Sequence, residues 1–349
     1  MRAQEVALLR LAALRLVGER AATPGDAVRH LLCAQGQELP GALASIALRT
    51  AGGTRAAVVA ALDAGEVVRS WPQRGTLHLV AADDLPWLLD LCAARVVRGT
   101  AGRQAQLGLD AAQVERARDA VVGALEGGRR LARAELLAVL DAAGLEPTGQ
   151  RGAWLLSLLA MTGTLVLGPV AGREQQWVLL REWVPSARRL EGDEALGALA
   201  LRYLRSHGPA TAADVARWAG VTLGQARTGV ALARPHLEAV DVDGVEHLLD
   251  PEVPDRLAAA RAEARGVLLL PGFDELVLGY ADRSTTVPAE HADRICPGGN
   301  GVFRPTVVAA GRAVGTWRPD GTAEPFTAFT PAVARAVPRV LAATAATRA

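Results

Sequence analysis

Apolar positions along the chain follow two different periods. Over 4–18, 24–37, 41–50 and 54–64 they recur every three or four residues, the spacing of one helix face. Val67-Val68-Arg69 and Thr76-Leu77-His78-Leu79-Val80 then read as strands on either side of Trp71-Pro72-Gln73-Arg74-Gly75, a turn-like stretch with an arginine at its tip. The same succession returns twice. Helices are predicted at 83–98, 110–126, 133–144 and 150–162, followed by a hairpin with arms at 165–169 and 177–180 that turns through Gly172. Further on come helices at 193–206 and from Thr211, where Thr211 is an N-cap with Asp214 three residues later, then one at 222–233 and a hairpin over 237–249 turning at Asp243-Gly244.

Helices followed by a short hairpin are the sequence form of a winged helix. The expected class is therefore α+β, with three tandem winged-helix units at 1–82, 83–185 and 186–250 and a small β-rich region at 251–349. Strands are expected there at 266–270, 302–309 and 312–317, with Gly311 at a turn. The polar stretch 284–299 reads as a long surface loop and the Ala- and Thr-rich last dozen residues as a fraying helix.

Composition narrows the setting more than the chemistry. With 349 residues, 50% of them hydrophobic, the chain can bury the cores of two or three domains. Cys33, Cys92 and Cys296 are far apart and odd in number, which points to a reducing cytoplasm rather than to a disulfide framework or a zinc or iron site. No apolar run approaches the roughly 18 residues of a membrane span, and a cytoplasmic, nucleoid-associated protein with no cofactor, acting as a monomer and with no membrane partner, is expected. The net charge of +1 is unevenly spread: +3 over 1–80, −1 over 81–185, −5 over 186–299 and +4 over 300–349. Basic ends of this kind suit a phosphate-facing surface, and they equally suit an arginine-rich genome.

Candidate chemistry centres on Gln35-Gly36-Gln37, at the end of an apolar helix pattern (Val28, Leu31, Leu32) that Glu38-Leu39-Pro40 terminates. Two carboxamides two residues apart can hold a water or a sugar oxygen between donors and acceptors, but cannot take up a proton. On spacing alone they also fit two solvated glutamines at a helix end. The stretch Leu31-Leu32-Cys33-Ala34-Gln35-Gly36-Gln37-Glu38-Leu39-Pro40-Gly41, running into Ala47-Leu48-Arg49, resembles the catalytic region of the AlkZ/YcaQ-type DNA glycosylases. Three more stretches are similar to that family in the same order: Arg74-Gly75-Thr76-Leu77-His78-Leu79-Val80; Leu270-Pro271-Gly272-Phe273-Asp274 with Gly279-Tyr280-Ala281-Asp282-Arg283; and Asn300-Gly301-Val302-Phe303-Arg304-Pro305-Thr306. Gly36 departs from the larger apolar spacer usual in the family, which predicts a looser local backbone.

The resemblance implies an enzyme that excises N7-alkylated purines from double-stranded DNA, including bulky adducts and interstrand crosslinks, in repair or self-resistance. Gln37 would orient the attacking water, and Gln35 would fix the sugar or Gln37 itself. All 38 basic residues are arginine. A glycosylase that also cuts the strand attacks the sugar with an amine, usually lysine, so this chain is expected to be monofunctional. Candidate DNA contacts are Arg49, Arg69, Trp71, Arg74, Thr76, His78, Arg283 and Arg304. Arg304 equally suits a structural pairing with Asp274 or Asp282, and the hairpin's polar residues equally suit solvation. The alternative function is a DNA-binding protein or transcriptional regulator without catalysis, for which the helix at 222–233 offers Gln225 and Arg227. A family member that binds damage without cutting is a third reading.

Overall fold

The structure is a computed structural model that describes residues 1–172 and 174–346. It divides into two compact units, one made of residues 59–191 and the other of 1–58 together with 192–349. In chain order the principal elements are α1 (Ala3–Ala13), α2 (Pro24–Leu31), β1 (Cys33–Gln35), α3 (Leu39–Leu48), α4 (Arg55–Asp63), β2 (Val67–Gln73) and β3 (Thr76–Ala81). Then follow α5 (Ala111–Leu125), α6 (Arg133–Ala142), α7 (Gln150–Met161), β4 (Leu165–Ala171) and β5 (Glu174–Leu179). The chain continues through α8 (Gly192–His207), α9 (Ala212–Ala219), α10 (Leu223–Ala233), β6 (Glu238–Val242), β7 (Val245–Leu249) and α11 (Val253–Ala264). It closes with β8 (Val267–Leu270), α12 (Glu275–Leu278), β9 (Thr306–Ala309), β10 (Arg312–Trp317), β11 (Ala323–Pro325) and α13 (Pro331–Ala346).

In the unit of residues 59–191, strands run in the order β3-β2-β4-β5, with each neighbouring pair antiparallel. Both hairpins slip register at a proline: β2 between Ser70 and Gln73, around Pro72, and β4 between Leu167 and Val170, around Pro169. Proline has no N–H for the ladder, so a bulge is the place where a strand tolerates it. The first hairpin turns at Arg74-Gly75, both at positive φ (54° and 68°), rather than over the five residues expected. That is the two-residue turn whose twist matches paired strands. Val121 and Leu125 of α5 pack with Leu136 and Leu140 of α6, Leu155 and Leu159 of α7, and Trp177 of β5 in one core. The expected helix over 83–98 is present as an unbroken helical stretch with a π turn at Leu89–Ala93 inside it.

In the other unit, α1 packs on α11 and α8 on α10. The apolar period continues to residue 18, but Arg15 sits at φ 53° and breaks α1 before that point. Helix α11 has no counterpart among the elements expected; its Val253, Leu257, Ala260 and Ala264 form a buried face. The hairpin β6–β7 turns at Asp243-Gly244 as expected, with Val242 opposite Val245. Strands β11-β10-β9-β8 form an antiparallel sheet. Val333 and Val337 of α13 pack on Leu269, Val307 and Trp317 of that sheet, so the C-terminal helix covers a sheet face. The stretch 284–299 is not a plain surface loop. It holds short helical turns, among them Ala292–Ile295, and buries Ile295 against Val277, Val287 and Phe326.

Candidate active site

The glutamine motif lies where the chain changes direction twice. Thr23 caps α2, its hydroxyl accepting the Asp26 N–H, and Pro24 begins the helix with its φ already set. The helix expected to reach residue 37 stops at Leu31, because Leu32 adopts φ 67°, ψ −54°. This is the strained γ-turn geometry, and a non-glycine residue holds it at a cost of about 1–3 kcal/mol only where its surroundings enforce it. Leu32 is fully buried, which supplies that enforcement. Gln35 therefore ends a short strand, β1, instead of a helix, and Pro40 opens α3 rather than merely closing what precedes it. Glu38 caps α3 through Gly41 N–H at 2.9 Å.

Two adjacent acids hold this loop from both sides. Asp274 receives both guanidinium nitrogens of Arg49, each at 2.8 Å, and the Ser45 hydroxyl at 2.7 Å, which ties down the C-terminal end of α3. Glu275 accepts the backbone N–H of Gln35 at 2.8 Å through Oε1. Its Oε2 accepts the Trp218 indole N–H at 3.0 Å and lies 3.4 Å from His207 Nε2. Both acids are 1% exposed, so their charges are answered inside the protein rather than by solvent.

Behind Glu275 the packing is aromatic. Tyr203 stacks on His207 with ring centroids 4.5 Å apart, and Trp218 lies 5.4 Å from His207. Tyr280 donates to the His207 carbonyl and Tyr203 to that of Gly279. Burial pushes both phenols well above the usual tyrosine range, so they act as neutral donors. Gly279 is required by this closeness: a Cβ there would come within 2.7 Å of His207 Cδ2 and of the Glu275 carbonyl. Asp214, which completes the Thr211 cap of α9, also accepts the Ala281 N–H at 2.8 Å.

The two glutamines differ in setting. Gln37 is exposed and Gln35 half-buried, while Gly36 between them is buried. The side-chain carbonyl oxygen of Gln35 is buried and has no hydrogen-bond partner among the described residues. An acceptor in that state is costly unless a further donor meets it.

The other expected site residues are placed as follows. Arg49 is a correction: at 1% exposure and paired with Asp274, it braces α3 and presents nothing to DNA. Trp71 is half-buried: at the bulge beside Pro72 it stacks on Trp177, with rings 5.9 Å apart and nearly parallel, and it packs against the core. His78 is fully buried in β3. Its Nδ1 faces the Thr76 carbonyl at 2.8 Å, and a carbonyl only accepts, so the proton is on Nδ1 and Nε2 accepts from Arg74 Nη2 at 3.2 Å. His78 thus holds Arg74 at the hairpin tip instead of touching a ligand. Thr76 is half-buried beside it, and Arg69 donates to Gln175 at 3.0 Å. The Arg283 guanidinium lies 5.0 Å from the Phe303 ring on the wall of a recess of about 590 Å³. Arg304 is exposed and donates to the Arg294 carbonyl at 3.4 Å; the pairing considered with Asp274 or Asp282 does not form, because Arg49 occupies the first and Ser284 the second. Gln225 is engaged in capping Thr222 at the start of α10. Sequence reasoning missed Glu275, His207 and Trp218. Glu275 directly follows the quoted Leu270–Asp274 stretch, and only the fold shows that it meets Gln35.

Burial pushes the Cys92 thiol up to about 12, which removes it as a nucleophile. The loop held by Asp274 and Glu275 carries two carboxamides, and comparison with known proteins defines the class. The chain belongs to the AlkZ-like DNA glycosylase family, whose model matches residues 28–347. It is 30% identical over 307 residues to the interstrand DNA cross-link repair glycosylase of Streptomyces sahachiroi, an alignment covering 84% of this chain and 81% of that one. Its structure is similar to that of Streptomyces sahachiroi DNA glycosylase AlkZ, with a TM-score of 0.82 and 27% identity, over 99% of this chain and 95% of the other. DNA is accordingly the substrate, and no helix among the described residues is long and apolar enough to cross a membrane.

Proposed function

We propose that this DNA glycosylase removes N7-alkylated purines, including bulky adducts and the purines of interstrand crosslinks, and leaves an intact abasic site. Alkylation at N7 makes the base cationic and weakens its bond to the sugar, so the protein has mainly to stabilise a cationic sugar and place a water. Gln37, exposed in the loop, orients that water. Gln35 directs its side-chain carbonyl oxygen to the sugar or to the Gln37 amide. The observation that carries this reading is that same Gln35 oxygen: a buried acceptor without a partner among the described residues, on a backbone that Glu275 holds in place. The crosslink substrate is supported by the named activity of the Streptomyces sahachiroi relative. A chain without lysine supports hydrolysis over lyase chemistry.

In this reading the hairpins β2–β3, β4–β5 and β6–β7 are the wings of three winged-helix units bounded at residues 82, 185 and 250. Arg69, Arg74, Thr76, Arg283 and Arg304 contact the duplex, chiefly at phosphate. The test uses duplex DNA carrying one N7-methylguanine, with alkali converting any abasic site to a strand break, and a crosslinked duplex in parallel. Breaks with the wild type that are lost in Gln37→Ala support the mechanism. Unchanged excision by a Gln35→Ala/Gln37→Ala variant overturns it, and failure on the crosslinked duplex removes that substrate.

A further inference from the structure

We infer that Glu275 is a positioning residue for base excision, acting through the Gln35 backbone while touching no substrate. It rests on Gln35 and Gln37 being the reactive pair. Four observations carry it. The carboxylate is buried, yet one oxygen is spent on a backbone N–H, that of Gln35, 240 residues away in the chain. The other oxygen is aimed by the Trp218 N–H at 3.0 Å and lies 3.4 Å from His207 Nε2. His207 is in turn fixed by Ser206 Oγ at its Nδ1, 2.8 Å away, and by stacking on Tyr203. The strained Leu32 lies three residues before Gln35, so the strand would relax if its far end were released.

The chemistry follows from this arrangement. A charge-assisted bond to a backbone N–H is short and directional, and here it fixes the Cα of Gln35. The side chain of Gln35 then has only its own rotamers to explore, and its carbonyl oxygen is held where the sugar or Gln37 needs it. Displacements of about 1 Å at such a group cost on the order of a hundredfold in rate, whereas duplex binding depends on contacts elsewhere. Loss of Glu275 therefore lowers the rate of the chemical step and spares affinity. Glu275→Gln keeps one acceptor oxygen and must leave either the Gln35 or the Trp218 N–H unmet, so it falls between the wild type and Glu275→Ala.

The experiment measures single-turnover excision of N7-methylguanine at saturating protein, with duplex affinity by fluorescence anisotropy and exchange of the Gln35 amide by hydrogen–deuterium mass spectrometry. The variants are Glu275→Gln, Glu275→Ala and Trp218→Phe, alongside Gln35→Ala/Gln37→Ala. The expected rate order is wild type, Glu275→Gln, Glu275→Ala, with the last down by about tenfold or more, affinity within about twofold, and faster exchange at Gln35. Trp218→Phe keeps an aromatic ring and loses the indole N–H, and it should resemble Glu275→Gln; these two variants decide the matter if Glu275→Ala does not fold. Faster amide exchange with an unchanged rate overturns the inference, as does a rate that falls only in step with affinity or folded fraction. If the double glutamine variant is inactive while the Glu275 variants keep full rate, only the positioning role fails. If the double variant excises normally, the carboxamide mechanism fails and the inference with it.

Discussion

At the scale of single residues, the same side chain type serves opposite ends. Arg49 and Arg74 both stand in stretches that resemble the glycosylase family. Arg49 is 1% exposed and held at two points by Asp274, which is itself fully enclosed. Removing one partner of a buried pair strands the other charge, so Arg49→Met should cost about 3–5 kcal/mol in urea unfolding. Arg49→Met combined with Asp274→Leu should cost less than the sum of the two single changes, because no charge is then left behind. Arg74 is presented at a turn with His78 as its support. Whether an arginine is solvent-facing or internal depends on where the carboxylates fall in three dimensions, and nothing in the local sequence of either residue distinguishes them.

At the scale of elements, legibility follows how local the cause is. The turn at Asp243-Gly244 and the Thr211–Asp214 cap are readable because each is decided within four residues. The end of α2 is not, since Leu32 leaves helical geometry under tertiary enforcement that no propensity reports. The first hairpin departs from the sequence reading for a related reason: Pro72 is visible as a turn signal, but in the sheet it lies in a bulge, and the half-buried Trp71 beside it stacks on Trp177. The hairpin tip yields a prediction of its own. Arg74→Ala should weaken duplex binding and reduce the slope of log affinity against log salt by about one, measured by anisotropy between roughly 50 and 200 mM salt. His78→Ala should act in the same direction and less strongly, since it loosens Arg74 without removing its charge. An unchanged slope in Arg74→Ala would mean that this arginine meets no phosphate. Gly279→Ala should disturb the support of the glutamine loop from behind. Its Cβ would force His207 off Glu275, at a cost of about 1–3 kcal/mol in stability, read as a lowered unfolding midpoint.

At the scale of the whole molecule, stability should depend on pH through His30. Its Nε2 donates to the Ala13 carbonyl at 2.7 Å, linking α2 to the end of α1. Burial, joined by the charges of Arg15 and Arg256, holds its pKa down to about 3 against the raising effect of that bond. The folded ring stays neutral while the unfolded chain protonates near 6.5. The contribution is therefore complete above that value and is lost as pH falls through it toward 3. Between pH about 6 and 5 the wild type should lose stability at a rate approaching 1.4 kcal/mol per pH unit from this group. Denaturant unfolding of His30→Gln over the same range should show a flatter dependence, and equal slopes would exclude His30 as the origin.

The sequence by itself determined the α+β character, the succession of helices and hairpins, the turn at Asp243-Gly244, the Thr211–Asp214 helix cap and the family, because each rests on periodicity, on turn chemistry within a few residues, or on motifs kept in order along the chain. It also determined that no lysine is available for amine chemistry. Tertiary structure alone decided which of the motif residues face outward. Arg49 and His78 are held internally, by Asp274 and by Thr76 with Arg74, while Trp71 is half-buried against Trp177. It also decided that Glu275 meets Gln35, 240 residues away in the chain, and that His207 and Trp218 converge on that same Glu275. A buried polar group must find partners wherever the fold brings them, and that pairing leaves no periodic trace in the sequence.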